Sequence, residues 1–208
     1  MKAPVLTIRR ADLAGACVEW LGIFDAICAL LDVDREQLLP RKEVSPILHT
    51  FDAFPELRHI ELQGEGESLL HPRFFDMIAL AQARGLKVSL ITNGSLLTAE
   101  AIDRLLAARV EKLSISIESA DPATFQELRG GKLAKVLRGV TDLLAARDAR
   151  GLPRPVVGLS ITVLRRTRDE LPQILALYQR LGLDGGVTLQ PLQAMDAYVQ
   201  HYDAAMRA

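Results

Sequence analysis

Gly64-Glu65-Gly66-Glu67 sets two glycines and two carboxylates in four consecutive residues, directly after the run His59-Ile60-Glu61-Leu62-Gln63. Glycine lets a backbone approach a ligand closely, and the carbonyls and carboxylates of such a loop accept hydrogen bonds from an ammonium group. That chemistry suits an amino-acid moiety. Taken alone, the tetrapeptide is better explained as a tight solvated turn. It is not alone, because Asn93-Gly94, Ser116-Ile117-Glu118 and Gln190-Pro191 each close another β-branched run. Polar side chains at successive strand ends converge on one rim, where Ser116 and Glu118 have the groups to hydrogen-bond ribose hydroxyls.

The elements that must hold this rim alternate regularly. Strand patterns fall at 5–8, 59–63, 87–91, 112–117, 156–163 and 187–189. Helical patterns lie between them, at 73–84, 122–128, 133–150, 169–181 and 194–206. Ser45-Pro46 and Thr98-Ala99-Glu100 supply further helix starts, the hydroxyl side chain capping the first turn. Repeated strand-helix units imply a parallel sheet with helices outside it. A closed eight-stranded barrel typically needs about 250 residues. Six units in 208 residues therefore predict an α/β fold that is either a partial (β/α)6 TIM-like barrel or an open doubly wound sheet. Either one presents its ligand site at the C-terminal strand ends.

Composition bounds the function. Apolar residues make up 49% and charged residues 25%, with a net charge of -1, so a soluble globular protein is expected and a polyanion partner is not. Neither nucleic acid nor membrane is an expected partner, no signal peptide is legible at the N-terminus, and the cytoplasm is the expected location. Two cysteines are too few for a disulfide framework. His49, His59, His71 and His201 show no paired metal-ligand spacing, and no metal is expected. Arg129-Gly130-Gly131-Lys132 lacks the Walker spacing and reads as a helix-terminating turn.

The block HIELQGEGESLLHPRFFDMIALAQARGLKVSLITNG, residues 59 to 94, resembles the S-adenosylmethionine (SAM) binding core of the radical SAM enzymes, whose second strand ends in a Gly-Gly-Glu-like loop. The resemblance extends over about residues 56 to 195. It implies that Glu65-Gly66-Glu67 holds the amino group of SAM, that Ser116 or Glu118 meets its ribose, and that Arg129 faces its carboxylate. Gly64, Asn93 and Gln190 complete the expected cofactor-binding set at the same rim. Glu65 stands where the family has its first glycine, and Ser68 where it usually has proline.

The larger departure is upstream. The family holds a 4Fe-4S cluster with three thiolates in the order Cys-x3-Cys-x2-Cys, leaving one iron open for SAM. Here those positions read Leu13, Cys17 and Trp20. Leucine has no ligand atom and the indole only donates. Leu13, Cys17, Trp20, Phe24, Ile27 and Leu31 repeat at helical spacing, which is the stripe of a buried helix face. On that helix Cys28 would stand roughly 16 Å from Cys17, at about 1.5 Å per residue, too far to share a cluster. A 4Fe-4S cluster is therefore not expected, while SAM remains the expected cofactor.

The expected protein is thus a single radical-SAM-like domain over 1–208 with no C-terminal auxiliary-cluster domain. Its expected role is that of an accessory or regulatory homologue in a peptide or natural-product modification pathway, working with a partner enzyme or a second copy of itself. The alternative is a non-radical enzyme acting at the SAM sulfonium by alkyl transfer, elimination or cyclisation, with Glu65 or Glu67 as base. A radical enzyme with a partner-donated cluster is the third and least expected reading. No catalytic residue or substrate is assigned.

Overall fold

The structure is a computed structural model and describes residues 57–63 and 66–192. The expected strand at 5–8, the helix carrying Leu13, Cys17, Trp20 and Cys28, the helix start at Ser45, the loop residues Gly64 and Glu65, and the helix at 194–206 lie outside the described residues. The fold class is α/β, of the partial TIM-like barrel type, and among the described residues five strands run in the order β1-β2-β3-β4-β5. These are β1 (His59–Leu62), β2 (Lys87–Thr92), β3 (Lys112–Ser116), β4 (Val156–Val163) and β5 (Val187–Pro191). Sequential order decides between the two architectures left open by the sequence. A doubly wound sheet reverses its strand order at a switch point, and a barrel adds each strand beside the last.

Two compact units, Met1–Leu90 and Ile91–Ala208, divide the chain. In the first, β1 pairs in parallel with β2, with Ile60 opposite Val88 and Glu61 opposite Ser89. Between the two strands runs α1 (Phe74–Ala83), which buries Phe74, Ile78 and Ala81. Burying a side chain such as Phe74 or Ile78 contributes roughly 1.5–3 kcal/mol. A short 3-10 turn, Ser68–Leu70, precedes the helix.

In the second unit β3 pairs with β4 and β4 with β5, all in parallel. The crossovers are α2 (Ala99–Ala107), α3 (Pro122–Arg129), α4 (Leu133–Ala149) and α5 (Leu171–Arg180). Their ends follow from local chemistry. Thr98 Oγ1 accepts from the Ala101 N–H at the start of α2, a cap worth about 1 kcal/mol. Asp121 Oδ1 accepts from the Thr124 N–H at 2.8 Å, with Pro122 at the first helical position of α3. Gly130 closes the same helix at φ 69, a left-handed conformation that glycine adopts without steric cost. The Arg129-Gly130 turn is therefore a helix stop, as its sequence indicated. Along α4, Leu133, Val136, Val140, Leu143 and Leu144 are buried, a stripe of helical period facing the core.

At the N-terminal end of β4 the buried side chain of Arg147 joins three segments, through an ion pair with the more exposed Asp184. Arg147 Nη1 donates to the Pro155 carbonyl at 3.0 Å and to Asp184 Oδ2 at 2.8 Å, while Asp184 Oδ1 accepts from the Val157 N–H at 2.8 Å. Beside it the backbone of Gly185 and Gly186 lies against Gly158. A Cβ on Gly158 would come within 2.5 Å of the Gly186 carbonyl oxygen. Side chains are absent from this contact because there is no room for them.

Candidate functional site at the strand ends

Strand alternation determines which side chains can form a site. A Cβ built on Gly94 would meet Val136 Cγ1 of α4 at 2.7 Å and Ile115 Cγ2 at 3.3 Å, so Ile115 lies on the helix-covered face. Successive residues of a strand point to opposite faces. Ser114, Ser116 and, beyond the strand end, Glu118 follow the opposite face. Register carries that face across the unit, with Ser116 opposite Ser160, then Ser160 opposite Thr188 and Thr162 opposite Gln190. Gln190 Nε2 donates to Thr162 Oγ1 at 3.4 Å. The helix face of the same strands is apolar, with Leu113, Ile115, Ile117, Leu159 and Ile161 almost fully buried.

Two of the hydroxyls on the polar face are deeply placed. Ser114 is 3% exposed and Ser160 4% exposed, and neither hydroxyl has a hydrogen bond to the described residues. Buried polar groups are nearly always paired. Orphaned hydroxyls on the face of a sheet that ends in a polar rim mark a place where a ligand or ordered water completes the hydrogen bonding. Ser116, half-buried one residue pair higher, is likewise without a partner among the described residues.

At the end of β3 the chain turns into α3, and there Glu118 and Arg129 meet. Arg129 donates from Nε to one carboxylate oxygen of Glu118 and from Nη2 to the other. This is the fork-to-fork geometry in which a guanidinium matches a carboxylate. The Glu118 side chain is 5% exposed and the Arg129 side chain 33%. Two residues expected to contact a ligand separately are thus joined to each other. Ser119, which the sequence reading passed over, is fully buried. It donates to Glu170 and accepts from the Asp121 N–H at 3.0 Å, tying the β3 end to the 3-10 turn Arg168–Glu170. Arg166 grips Glu127 of α3 through both Nη atoms at 2.8 and 2.7 Å. The helix carrying Arg129 is therefore held from both its start and its outer face.

The Thr92-Asn93-Gly94 strand end spends side chains on its own turn. Thr92 Oγ1 accepts from the Gly94 N–H at 3.0 Å and Asn93 Oδ1 from the Ser95 N–H at 2.8 Å. Gly94 has φ 74. Asn93 thereby shapes the rim with its carbonyl oxygen.

In the first unit the loop after β1 ends in Gly66, exposed, and Glu67, 8% exposed. The Glu67 carboxylate accepts from the Leu69 N–H at 3.2 Å and caps the 3-10 turn. A Cβ on Gly66 would meet nothing within 4 Å among the described residues. Nearby His71 Nδ1 accepts from the Arg73 N–H. Burial, followed by the charge of Arg73, holds the His71 imidazole below its ordinary pKa. On β1, His59 Nε2 lies 2.7 Å from Ser89 Oγ of β2.

Of the expected site residues, then, Ser116, Glu118, Arg129, Asn93 and Gln190 belong to the second unit, with Glu118 and Arg129 in direct contact. Gly66 and Glu67 belong to the first, and Gly64 and Glu65 lie outside the described residues. The in-register hydroxyls Ser160, Thr162 and Thr188 were missed. Their signal was present in the alternation Leu159-Ser160-Ile161-Thr162 and Val187-Thr188-Leu189-Gln190, which places a polar residue at every second position.

A partial barrel of parallel strands, with a polar face and a charged fork at its C-terminal strand ends, defines an α/β protein of the barrel class, whose strand-end rim is the candidate ligand site. The chain belongs to the Radical SAM superfamily, whose family model matches residues 33–178. It is 32% identical over 139 residues to the tungsten-containing aldehyde ferredoxin oxidoreductase cofactor-modifying protein of Pyrococcus furiosus, covering 66% of this chain and 39% of that one. To the PqqA peptide cyclase of Streptomyces rochei it is 33% identical over 119 residues, covering 57% of this chain and 31% of that one. The crystal structure of Streptococcus suis SuiB bound to S-adenosylmethionine superposes with a TM-score of 0.56 at 11% identity, over 67% of this chain and 31% of that one. This likeness is one of fold. The chain spans about two fifths or less of the length of these relatives.

Proposed function

We propose that this chain is a radical-SAM-like protein that presents a SAM pocket without holding a 4Fe-4S cluster on its own thiolates. It serves as an accessory or regulatory component of a peptide or natural-product modification pathway. The observation that carries the SAM half of this reading is the set of groups around the β3 end. Arg129 presents a cation, Ser116 a hydroxyl, and Ser114 and Ser160 buried hydroxyls, all three hydroxyls without a partner among the described residues. These fit a ligand that combines a carboxylate with a ribose. Arg129 would take the carboxylate and Ser116 the ribose, while the Gly66-Glu67 loop of the other unit has, by itself, the acceptors for an ammonium group.

SAM supplies an electrophilic sulfonium when it is bound. The protein's part is to orient it by the Arg129 and Ser116 contacts and to exclude water with the apolar wall behind the rim. For the cluster the donor set does not fit. Soft thiolates are needed at three positions, and the chain has two cysteines, Cys17 and Cys28, with Leu13 and Trp20 at the remaining positions of the pattern. A role in modification pathways is supported by the relatives, which include a cofactor-modifying protein and a peptide cyclase.

Calorimetry with SAM, followed by mass spectrometry for methylthioadenosine and S-adenosylhomocysteine, tests this reading. Binding without either product is the expected result. Formation of either product would move the assignment to a non-radical SAM enzyme. A brown iron-sulfur chromophore after anaerobic reconstitution with iron and sulfide would overturn the cluster-less assignment, and no SAM binding would overturn the pocket.

A further inference from the structure

A guanidinium has two hydrogen-bonding edges, and among the described residues only one edge of Arg129 is in use. Nε and Nη2 are committed to the two oxygens of Glu118, while Nη1 makes no hydrogen bond to the described residues. The carboxylate that grips it is nearly inaccessible, with its side chain 5% exposed, whereas the arginine side chain is 33% exposed. Accessibility and hydrogen-bonding capacity therefore both point outward from the arginine.

We infer that Glu118 is a positioning residue. Its buried carboxylate fixes the plane of the Arg129 guanidinium at the end of β3, so that the outer Nη edge meets a ligand carboxylate. The inference rests on the SAM reading above and gives it a division of labour. Ser116 takes the ribose hydroxyl, because its own hydroxyl has no partner among the described residues and is accessible from the polar face. Glu118 is assigned to Arg129 rather than to the ribose, because each of its oxygens already accepts from the guanidinium and its side chain is only 5% exposed. Arginine pays a rotamer cost to hold any one geometry, and a bidentate partner removes that cost before ligand arrives. The two ends of α3 reinforce the placement. Asp121 caps its start and Arg129 sits in its last turn, where a cation is favoured by the helix dipole.

The test compares SAM with decarboxylated SAM, which keeps the adenosine, sulfonium and amine and lacks only the carboxylate. Wild-type protein is expected to prefer SAM by about tenfold or more, the discrimination typical of a charged hydrogen-bonded pair. Arg129→Gln removes that preference, weakening SAM and leaving decarboxylated SAM within about threefold. Glu118→Gln gives the same selective loss, smaller in size, although it removes no ligand contact. The double variant Glu118→Gln/Arg129→Gln leaves no buried unpaired charge. It guards against misfolding of the single variants and is expected to match Arg129→Gln rather than add to it. If Glu118→Gln weakens both ligands equally, Glu118 touches the shared ribose and the inference is overturned. If Glu118→Gln changes neither while Arg129→Gln is selective, the arginine needs no positioning and the inference again fails, with the SAM reading intact. If the wild type binds neither ligand, the SAM reading itself falls and the inference with it.

Discussion

Ser116 of β3 and Ser160 of β4 stand opposite each other in register, and neither hydroxyl meets a partner among the described residues. For Ser160, 4% exposed, that arrangement is costly. A buried hydroxyl without a partner loses about 1–3 kcal/mol of solvation. Ser160→Ala is therefore expected to leave stability unchanged or raise it by about 1 kcal/mol, measured by urea denaturation of the ligand-free protein. A loss of more than about 1 kcal/mol would show instead that the hydroxyl is already satisfied by ordered water.

The grip of Arg166 on Glu127 gives the β4–α5 connection a dependence on pH. Hydrogen bonding to Arg166, followed by its positive charge, holds the Glu127 carboxyl below the usual carboxylate range. A depressed folded-state pKa contributes stability that is present above the unfolded carboxylate pKa and is lost as pH falls through the folded one. Wild type is expected to melt higher than Glu127→Gln near neutral pH. The two melting curves should converge in acid, below the ordinary glutamate range. Because Glu127 is well exposed to solvent, the gap should also narrow in high salt. A difference that persists unchanged at low pH would assign the effect to packing.

Arg147 is the charged side chain on which the base of β4 depends. Replacing it with Met keeps most of its aliphatic volume but leaves the Pro155 carbonyl and Asp184 without their donor. Breaking one side of a buried pair usually costs about 3–5 kcal/mol. Asp184 is 42% exposed on its side chain and can recover water, so a loss of about 2–3 kcal/mol is expected for Arg147→Met. Lysine retains charge but not the planar fork, and Arg147→Lys should fall between the two. Chemical denaturation of the three proteins reads this order directly.

How much of this was legible in the sequence depends on the range of the interaction. The helix start at Thr98 and the stop at Gly130 are written in adjacent residues, and the structure uses both. Five strands were likewise readable from β-branched runs. The pairing of Glu118 with Arg129 was not, although both had been singled out. It arises because α3 turns back on the end of β3, bringing together residues eleven positions apart through a geometry that no local pattern encodes. Ser119 was passed over for a similar reason, since its partner Glu170 lies fifty-one residues away.

Two glycines separate helix propensity from packing. Gly139 lies inside α4, where alanine would gain about 1 kcal/mol of intrinsic propensity. Its added Cβ would stand 2.7 Å from Leu97 Cβ and 3.1 Å from the Leu97 carbonyl oxygen. Neither atom is the free end of a flexible side chain, and overpacking of this kind costs about 1–3 kcal/mol. Packing wins, and Gly139→Ala should destabilise by about 1 kcal/mol net. Gly158→Ala has no propensity gain to offset a 2.5 Å approach to the Gly186 carbonyl, so it should be the worse of the two, by thermal melting. A neutral Gly158→Ala would mean that the Gly185-Gly186 backbone can move off β4.

Glu67 distinguishes ammonium recognition from carboxylate recognition. Its side chain is buried and held by the Leu69 N–H, so it keeps a defined position in the loop beside Gly66. Glu67→Gln retains an oxygen to accept that hydrogen bond and removes the negative charge. If the loop takes the amino group of SAM, affinity should fall about tenfold, the scale of one charged hydrogen bond. Decarboxylated SAM carries the same amine and should lose affinity in equal measure, leaving the ratio of the two ligands at its wild-type value. That outcome is the opposite of the selective loss expected for Arg129→Gln. A change in the ratio with Glu67→Gln would place the loop against the carboxylate instead of the amine.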